Sequence, residues 1–507
     1  MAFEPNFEKV VASVRKRLGE IQSQVDCKLS VTDDVKKIIC SNAKANIVSV
    51  ETNGKDIIYS GFVNFQVVYF DNDMNPVGVD YTAEFRERYS TSMELSNVVP
   101  IVNVSVVDVN TSVNGDIKAV AIIETVIDVI INSSTTVLTN INGDTYFTKK
   151  ELLNYTNYVS TISNKFELNN DVEIKDAVSK ILSVCPSVFI DKINLSDDLL
   201  VVNGGCYFDI SYLGDDNVVR TMQYSTTFTQ EIESNDVDEN CVVQSCLQIL
   251  YNDIRVTTSI DTDSAIVNVE LPVMYSGYVF KNESIEVVND LYSTTNYVNV
   301  VAESIESLEN SENIIFDEKL NGSVSIQEND AFIDEILGNC CGNVVVANKF
   351  VKDGLLTIEG IVTTTILYLN KENNSTHSVE VEMPFSTTSS TNQKEDMLAE
   401  TQIALTQISA RARRGKEIEV SAVLQIYSDI YNNVENAVIT KVEEDEEIPE
   451  SDCAMTFYIS KDGDTIWSIA RELKISTDLL LAQNPNLADD IAAGTKLVVY
   501  RQRQVEF

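Results

Sequence analysis

Apolar and polar residues alternate with a partial period of two through much of this chain, most plainly in three matching segments, Gly61–Tyr69, Gly204–Tyr212 and Gly360–Tyr368. Alternation in stretches rich in Val, Ile, Thr and Tyr predicts half-buried antiparallel strands. In each segment a tyrosine follows the glycine by eight residues, and Phe85, Phe228 or Phe385 follows it by 24, 24 and 25. A polar turn and an apolar pair precede each glycine (Asn53–Ile58, Ser196–Val202, Lys352–Ile358), and a returning strand comes later (Ile117–Ile123, Ala265–Glu270, Glu417–Ala422). A unit of about five or six strands is thus used three times, with the glycine as a bulge or tight approach and the tyrosine and phenylalanine as core anchors.

Elsewhere the period changes. Phe7, Val10, Val11, Val14, Leu18 and Ile21 fall at helical spacing and predict an amphipathic helix over 1–28. Short helical pieces are predicted at Asp34–Ile39, Glu173–Val178 and Phe332–Leu337. The stretches Asn132–Leu168 and Lys281–Gln327 are too long and too apolar for linkers and are expected to supply bridging strands. The organisation expected is an N-terminal helix (1–28), β units at 29–168, 169–327 and 328–441, an acidic linker at 442–454, and a small module at 455–507. The fold class is mainly β, with three repeated antiparallel domains carrying short helices and a terminal βααβ module.

Charge narrows the partners. Against 37 basic residues stand 78 acidic ones, a net charge of −41, which opposes binding to nucleic acid or to an anionic membrane. From Met455 to Phe507 there are six basic and seven acidic side chains, so the acidity belongs to the scaffold. Neither a signal-peptide core nor an 18-residue apolar run occurs, and the expectation is a cytosolic protein with no integral membrane segment. The nine cysteines read as reduced core thiols. Adjacent Cys340 and Cys341 make a poor zinc half-site, and with His377 the only histidine no metal or other cofactor is expected.

The C-terminal segment orders a strand (from Tyr458), a Gly463 turn, a helix capped by Thr465 or Asp464 with Ile466, Ile469, Ala470 and Leu473 on one face, a second helix capped by Ser476 with Leu479 and Leu480 inward, and a closing strand. This order resembles the LysM family in its Gly-Asp-Thr, Ile-Ala, Asn-Pro and Ile-x-x-Gly-x-x-Leu elements. The resemblance implies a βααβ fold whose groove takes N-acetylglucosamine polymers between two walls: Gly463, Asp464, Thr465 and Ile466 on one side, Asn484, Pro485, Asn486 and Leu487 on the other. Two readings stay open for Trp467: an exposed contact for sugar or partner, or a core residue across the helices.

Catalysis is not expected. The sequence lacks GxSxG, HExxH and a glycine-rich phosphate loop, and one histidine removes most triads. The whole arrangement, a triple Gly-Tyr-Phe unit ahead of one terminal LysM-like module, resembles the SipL-like family of clostridial spore coat morphogenetic proteins, with repeated SPOCS-type β domains. That resemblance implies a role in coat assembly in the mother cell at the forespore surface, where the module docks on the spore coat morphogenetic ATPase and the scaffold meets other coat proteins.

Overall fold

The computed structural model describes residues 3–31, 34–326, 332–372, 375–392, 397–449, 455–487 and 491–500. The first unit runs β1 (Glu4–Leu29), β2 (Val35–Asn53), β3 (Asp56–Asp71), β4 (Pro76–Ser90), β5 (Val98–Asn114) and β6 (Asp116–Asn142). The second runs β7 (Tyr146–Ile174), β8 (Val178–Ser196), β9 (Leu199–Gly214), β10 (Val219–Glu233), β11 (Cys241–Ile249), β12 (Arg255–Ile260) and β13 (Ala265–Ser293). The third runs β14 (Asn296–Ser325), β15 (Ile333–Lys352), β16 (Leu355–Asn370), β17 (Thr376–Ser390), β18 (Leu398–Arg413) and β19 (Glu417–Glu447). In every unit the three strands after the first form an antiparallel meander, and the long first and last strands pair with each other, the last also pairing with the strand or strands that precede it. Each pair of sheets encloses its own core, which includes Tyr69, Tyr212 or Tyr368.

The repeated glycine and phenylalanine are cross-strand partners: Gly61 pairs with Phe85, Gly204 with Phe228 and Gly360 with Phe385. On the other side each glycine faces a bulge, at Ile47/Ser49, Ile190/Lys192 and Val346/Asn348. The bulge turns the carbonyl of Asn46, Phe189 or Val345 over the glycine Cα, leaving no room for a Cβ.

Beyond Ile131, Lys281 and Tyr431 the long pairs continue as two-stranded ribbons. These three ribbons pack on one another as a stalk. One cluster holds Val10, Ala12 and Val137 with Leu153, Val287, Ile305 and Val438, and the next holds Leu138, Val288 and Ile439 with Ile141, Leu291 and Val442. Hydrogen bonds run round the same axis. Tyr158 N donates to Ser13 Oγ (2.7 Å), Thr156 N to Ser307 Oγ (2.9 Å), and Asn433 Nδ2 to Arg15 O (2.8 Å). At the far end of the bodies Ile39, Leu182 and Leu337, one from each unit, share a further cluster. The three units therefore form one body rather than a string.

At the foot of the stalk lies a buried charge network. The Arg15 guanidinium, 2% exposed, binds Asp128 Oδ2 through Nη2 (2.6 Å) and donates to Gln244 Oε1 (2.7 Å), over the Tyr431 ring at 4.7 Å. Arg17 donates to Asp128 Oδ1 (2.8 Å) and to Glu400 Oε2 (2.9 Å). Burial raises the Asp128 carboxyl, but Arg15 and Arg17 outweigh it and hold it below the ordinary carboxylate range.

Asp429 behaves oppositely. It accepts from Ser245 N (3.2 Å), Tyr427 Oη (2.7 Å) and Asn313 Nδ2 (2.6 Å), and burial pushes its carboxyl up to about 7. Because the folded protein holds this proton well above the ~3.9 of an unfolded aspartate, its contribution to stability is lost as pH rises through about 7. Asp429→Asn is expected to reduce the fall in the urea midpoint between pH 5 and pH 8. An unchanged pH slope in the variant would exclude this role.

Several expectations need correction. Residues 4–29 are a strand, not an amphipathic helix. Bulges at Asn6/Phe7 and Arg17/Gly19 break the alternation, and residues 12–15 are buried on both faces, so the apolar spacing looks helical. The pieces expected as short helices fall on strands too. Val35–Ile39 opens β2 and Ile333–Leu337 opens β15, while Glu173 and Ile174 end β7 and Val178 starts β8. Paired bulges at Val35/Lys37 and Ile38/Cys40, with counterparts in the other units, bring apolar residues together at i, i+3 and i+4. Pairing also crosses the boundaries expected at 168/169 and 327/328, because β7 and β14 pair with the last strands of the units that follow. Val442–Glu447 of the expected linker belongs to β19, whereas 450–454 lies outside the described residues. Cys185 and Cys341 form a disulfide (Cα–Cα 5.9 Å) between the second and third units, so these two are not reduced thiols.

Candidate functional site

The C-terminal module consists of β20 (Met455–Ile459), α1 (Ile466–Leu473), α2 (Thr477–Gln483) and β21 (Lys496–Tyr500), with β20 and β21 antiparallel. Its core is Ile469, Ala470, Ile475, Leu480, Leu497 and Val499. Ile466 and Leu473 pack against that core as their spacing predicts, whereas Leu479 stays exposed and Ile475 fills the position beside Leu480.

The expected groove residues divide by what they do. Gly463 stands in an exposed turn at φ +82°, which favours glycine. Asp464 accepts from Lys461 N (2.7 Å) and Tyr458 Oη (3.0 Å), and burial together with Glu472 and Asp464 raises the Tyr458 phenol. Thr465 is the N-cap of α1 and forms a capping box with Ser468 (Ser468 N to Thr465 Oγ1, 3.1 Å). Asn484 ties α2 to β21, accepting from Val498 N (3.0 Å) and donating to Val498 O (2.9 Å) and Leu480 O (3.0 Å). Ile466 and Leu487, one from each expected wall, meet on the same core. Pro485 and Asn486 are exposed, as are Gly463 and Thr465, and these four offer free surface on the two loops.

Trp467 does something else. Its Nε1 donates to Asp290 Oδ2 at 2.7 Å, and its ring meets Tyr292 edge-on at 5.1 Å. Arg471 Nη1 reaches the same Asp290 oxygen at 2.5 Å, and Tyr292 Oη donates to Ile475 O at 2.8 Å. Phe147 stacks behind Tyr292 at 5.3 Å, and Lys474 lies 5.9 Å from the centre of the Tyr297 ring. All four scaffold residues sit near the 293–296 turn or the start of β7, at the tip of the stalk. Trp467 is therefore neither a free groove contact nor purely module core, because it joins the module to the scaffold. Nothing in the sequence around Asp290 or Tyr292 signals this, since the partners stand 177 and 183 residues apart.

Comparison with known families fits this architecture. Residues 177–257 and 333–413 match the SipL, SPOCS domain family, and residues 458–499 match the LysM domain family. The SPOCS matches cover the meander and following strands of the second and third units. The first unit, unmatched, repeats their topology at β2 to β5. Neither a curated protein nor a solved structure matches the chain significantly. The fold is thus a repeated β scaffold carrying a C-terminal LysM domain. More particularly, the chain's SPOCS repeats and C-terminal LysM domain match the arrangement of SipL-like sporulation proteins, the module being of a peptidoglycan-binding family. Both matched families are binding domains. Among the described residues no helix is long and apolar enough to cross a membrane.

Proposed function

We propose that this chain is a non-enzymatic scaffold for spore envelope and coat morphogenesis, whose LysM domain docks on the spore coat morphogenetic ATPase at the forespore surface in the mother cell. The observation that carries this reading is the joining of SPOCS-type units and a LysM domain in one chain, with the LysM domain seated on the scaffold. The scaffold's strong negative charge supports a role in recruiting other, basic coat proteins. A second reading, binding of N-acetylglucosamine polymers at cortex or wall, is favoured by the exposed loop positions Gly463, Thr465, Pro485 and Asn486.

Pull-down of the full chain separates the two. Wild type is expected to retain the ATPase, and Asn486→Arg, at an exposed position that leaves the core untouched, is expected to weaken that retention at least tenfold. Retention on insoluble peptidoglycan without ATPase binding would overturn the adaptor reading and leave the glycan reading standing.

A further inference from the structure

We propose that the LysM domain is held to the stalk tip by a reversible latch with Asp290 as its catch, giving the chain a closed form that covers the Trp467 face and an open form that presents it. Asp290 accepts from both Trp467 Nε1 and Arg471 Nη1, so one carboxylate gathers the two polar anchors of α1. Tyr292 adds the third anchor, through Ile475 O and the edge of the Trp467 ring. The contact is narrow. Arg471 is 52% and Asp290 30% exposed, so water screens their attraction, and only Tyr292, 2% exposed, is fully covered. Small, partly polar contacts between domains of one chain permit relative motion by default, whereas large apolar ones do not. Opening uncovers Trp467, Tyr292 and Phe147 together, an aromatic surface of the kind that anchors protein partners. Closing leaves the loop residues Gly463, Pro485 and Asn486 accessible. The latch thus governs the Trp467 face independently of the ligand those loops take.

Trp467 is the only tryptophan, so its fluorescence in the full chain reads the latch directly. Wild type is expected to show emission shielded from acrylamide. Removing the catch by Asp290→Ala eliminates charge-assisted hydrogen bonds and is expected to lower the ratio of closed to open form by about tenfold, with red-shifted emission and freer quenching. Asp290→Asn, which keeps an acceptor but loses the charge, is expected to fall between, and Lys496→Ala on the exposed face of β21 to leave emission unchanged. Tyr292→Phe tests the third anchor while keeping the ring. Far-UV circular dichroism shows whether the variants remain folded. Wild-type quenching as free as that of N-acetyltryptophanamide would show that the closed form is not populated. Folded Asp290→Ala and Tyr292→Phe proteins with unaltered quenching would show that these residues are not the catch.

Discussion

Arg15→Met is expected to lower the unfolding free energy by about 3–5 kcal/mol, the usual cost of removing one partner from a buried ion pair. Arg15 and Asp128 are 2% and 0% exposed, and Gln244 of the second unit and Tyr431 of the third complete the shell around the guanidinium. Without Arg15 the Asp128 carboxylate keeps Arg17 as its only cation, which it shares with Glu400, and a long hydrogen bond from Tyr431 Oη (3.5 Å), while Gln244 Oε1 loses its donor. Methionine fills much of the volume but supplies neither charge nor donors. Urea unfolding measures the loss, and the double variant Arg15→Met/Asp128→Leu distinguishes its cause. If the penalty comes from the stranded carboxylate, the double variant recovers much of it, because apolar replacement of a whole buried pair is often near neutral. A loss below about 1 kcal/mol in the single variant would show that water reaches the site and screens the pair.

The same network shows what the sequence did and did not disclose. Arg15 stands among Val10, Val11, Val14 and Leu18, whose helical spacing places the arginines off the apolar stripe. It is buried because this stretch of strand lies on the axis where three units meet and is covered on both faces. A periodicity argument assumes one buried face and one exposed face, and it fails where tertiary packing buries both. The bulges at the start of β2, β8 and β15 mislead in another way, adding residues that turn a two-residue period into an apparent helical one.

Local chemistry was more transparent. Thr465 and Ser476 cap the two module helices as their residue types predict, and the recurrent spacing of glycine, tyrosine and phenylalanine reflects actual strand partners and core positions. Within the candidate site the loops were legible because their turn and cap requirements are written in adjacent residues. The role of Trp467 was not, because its partner Asp290 belongs to another unit and one surface carboxylate among 78 acidic residues carries no distinguishing pattern.

Gly360→Ala is expected to cost about 3 kcal/mol or more, at the upper end for overpacking, although it adds one methyl group. The new Cβ would lie 2.3 Å from Val345 O and 2.8 Å from Phe385 Cζ. The phenylalanine ring can shift. The carbonyl cannot do so cheaply, because it belongs to the bulged strand whose neighbour Val346 pairs with Gly360. Truncating the ring in Gly360→Ala/Phe385→Leu should therefore fail to rescue stability. Gly61→Ala and Gly204→Ala should lose similar amounts, since their Cβ atoms would approach Asn46 O at 2.0 Å and Phe189 O at 2.2 Å. Gly54→Ala supplies the contrast: at φ +61° with nothing within 4 Å, it meets only backbone strain, costing about 1 kcal/mol. Thermal unfolding of the four single variants tests the argument. If Gly360→Ala were tolerated as well as Gly54→Ala, the glycine would be serving the flexibility of the strand, and the carbonyl lying over it would not be the reason the same residue occurs in all three units.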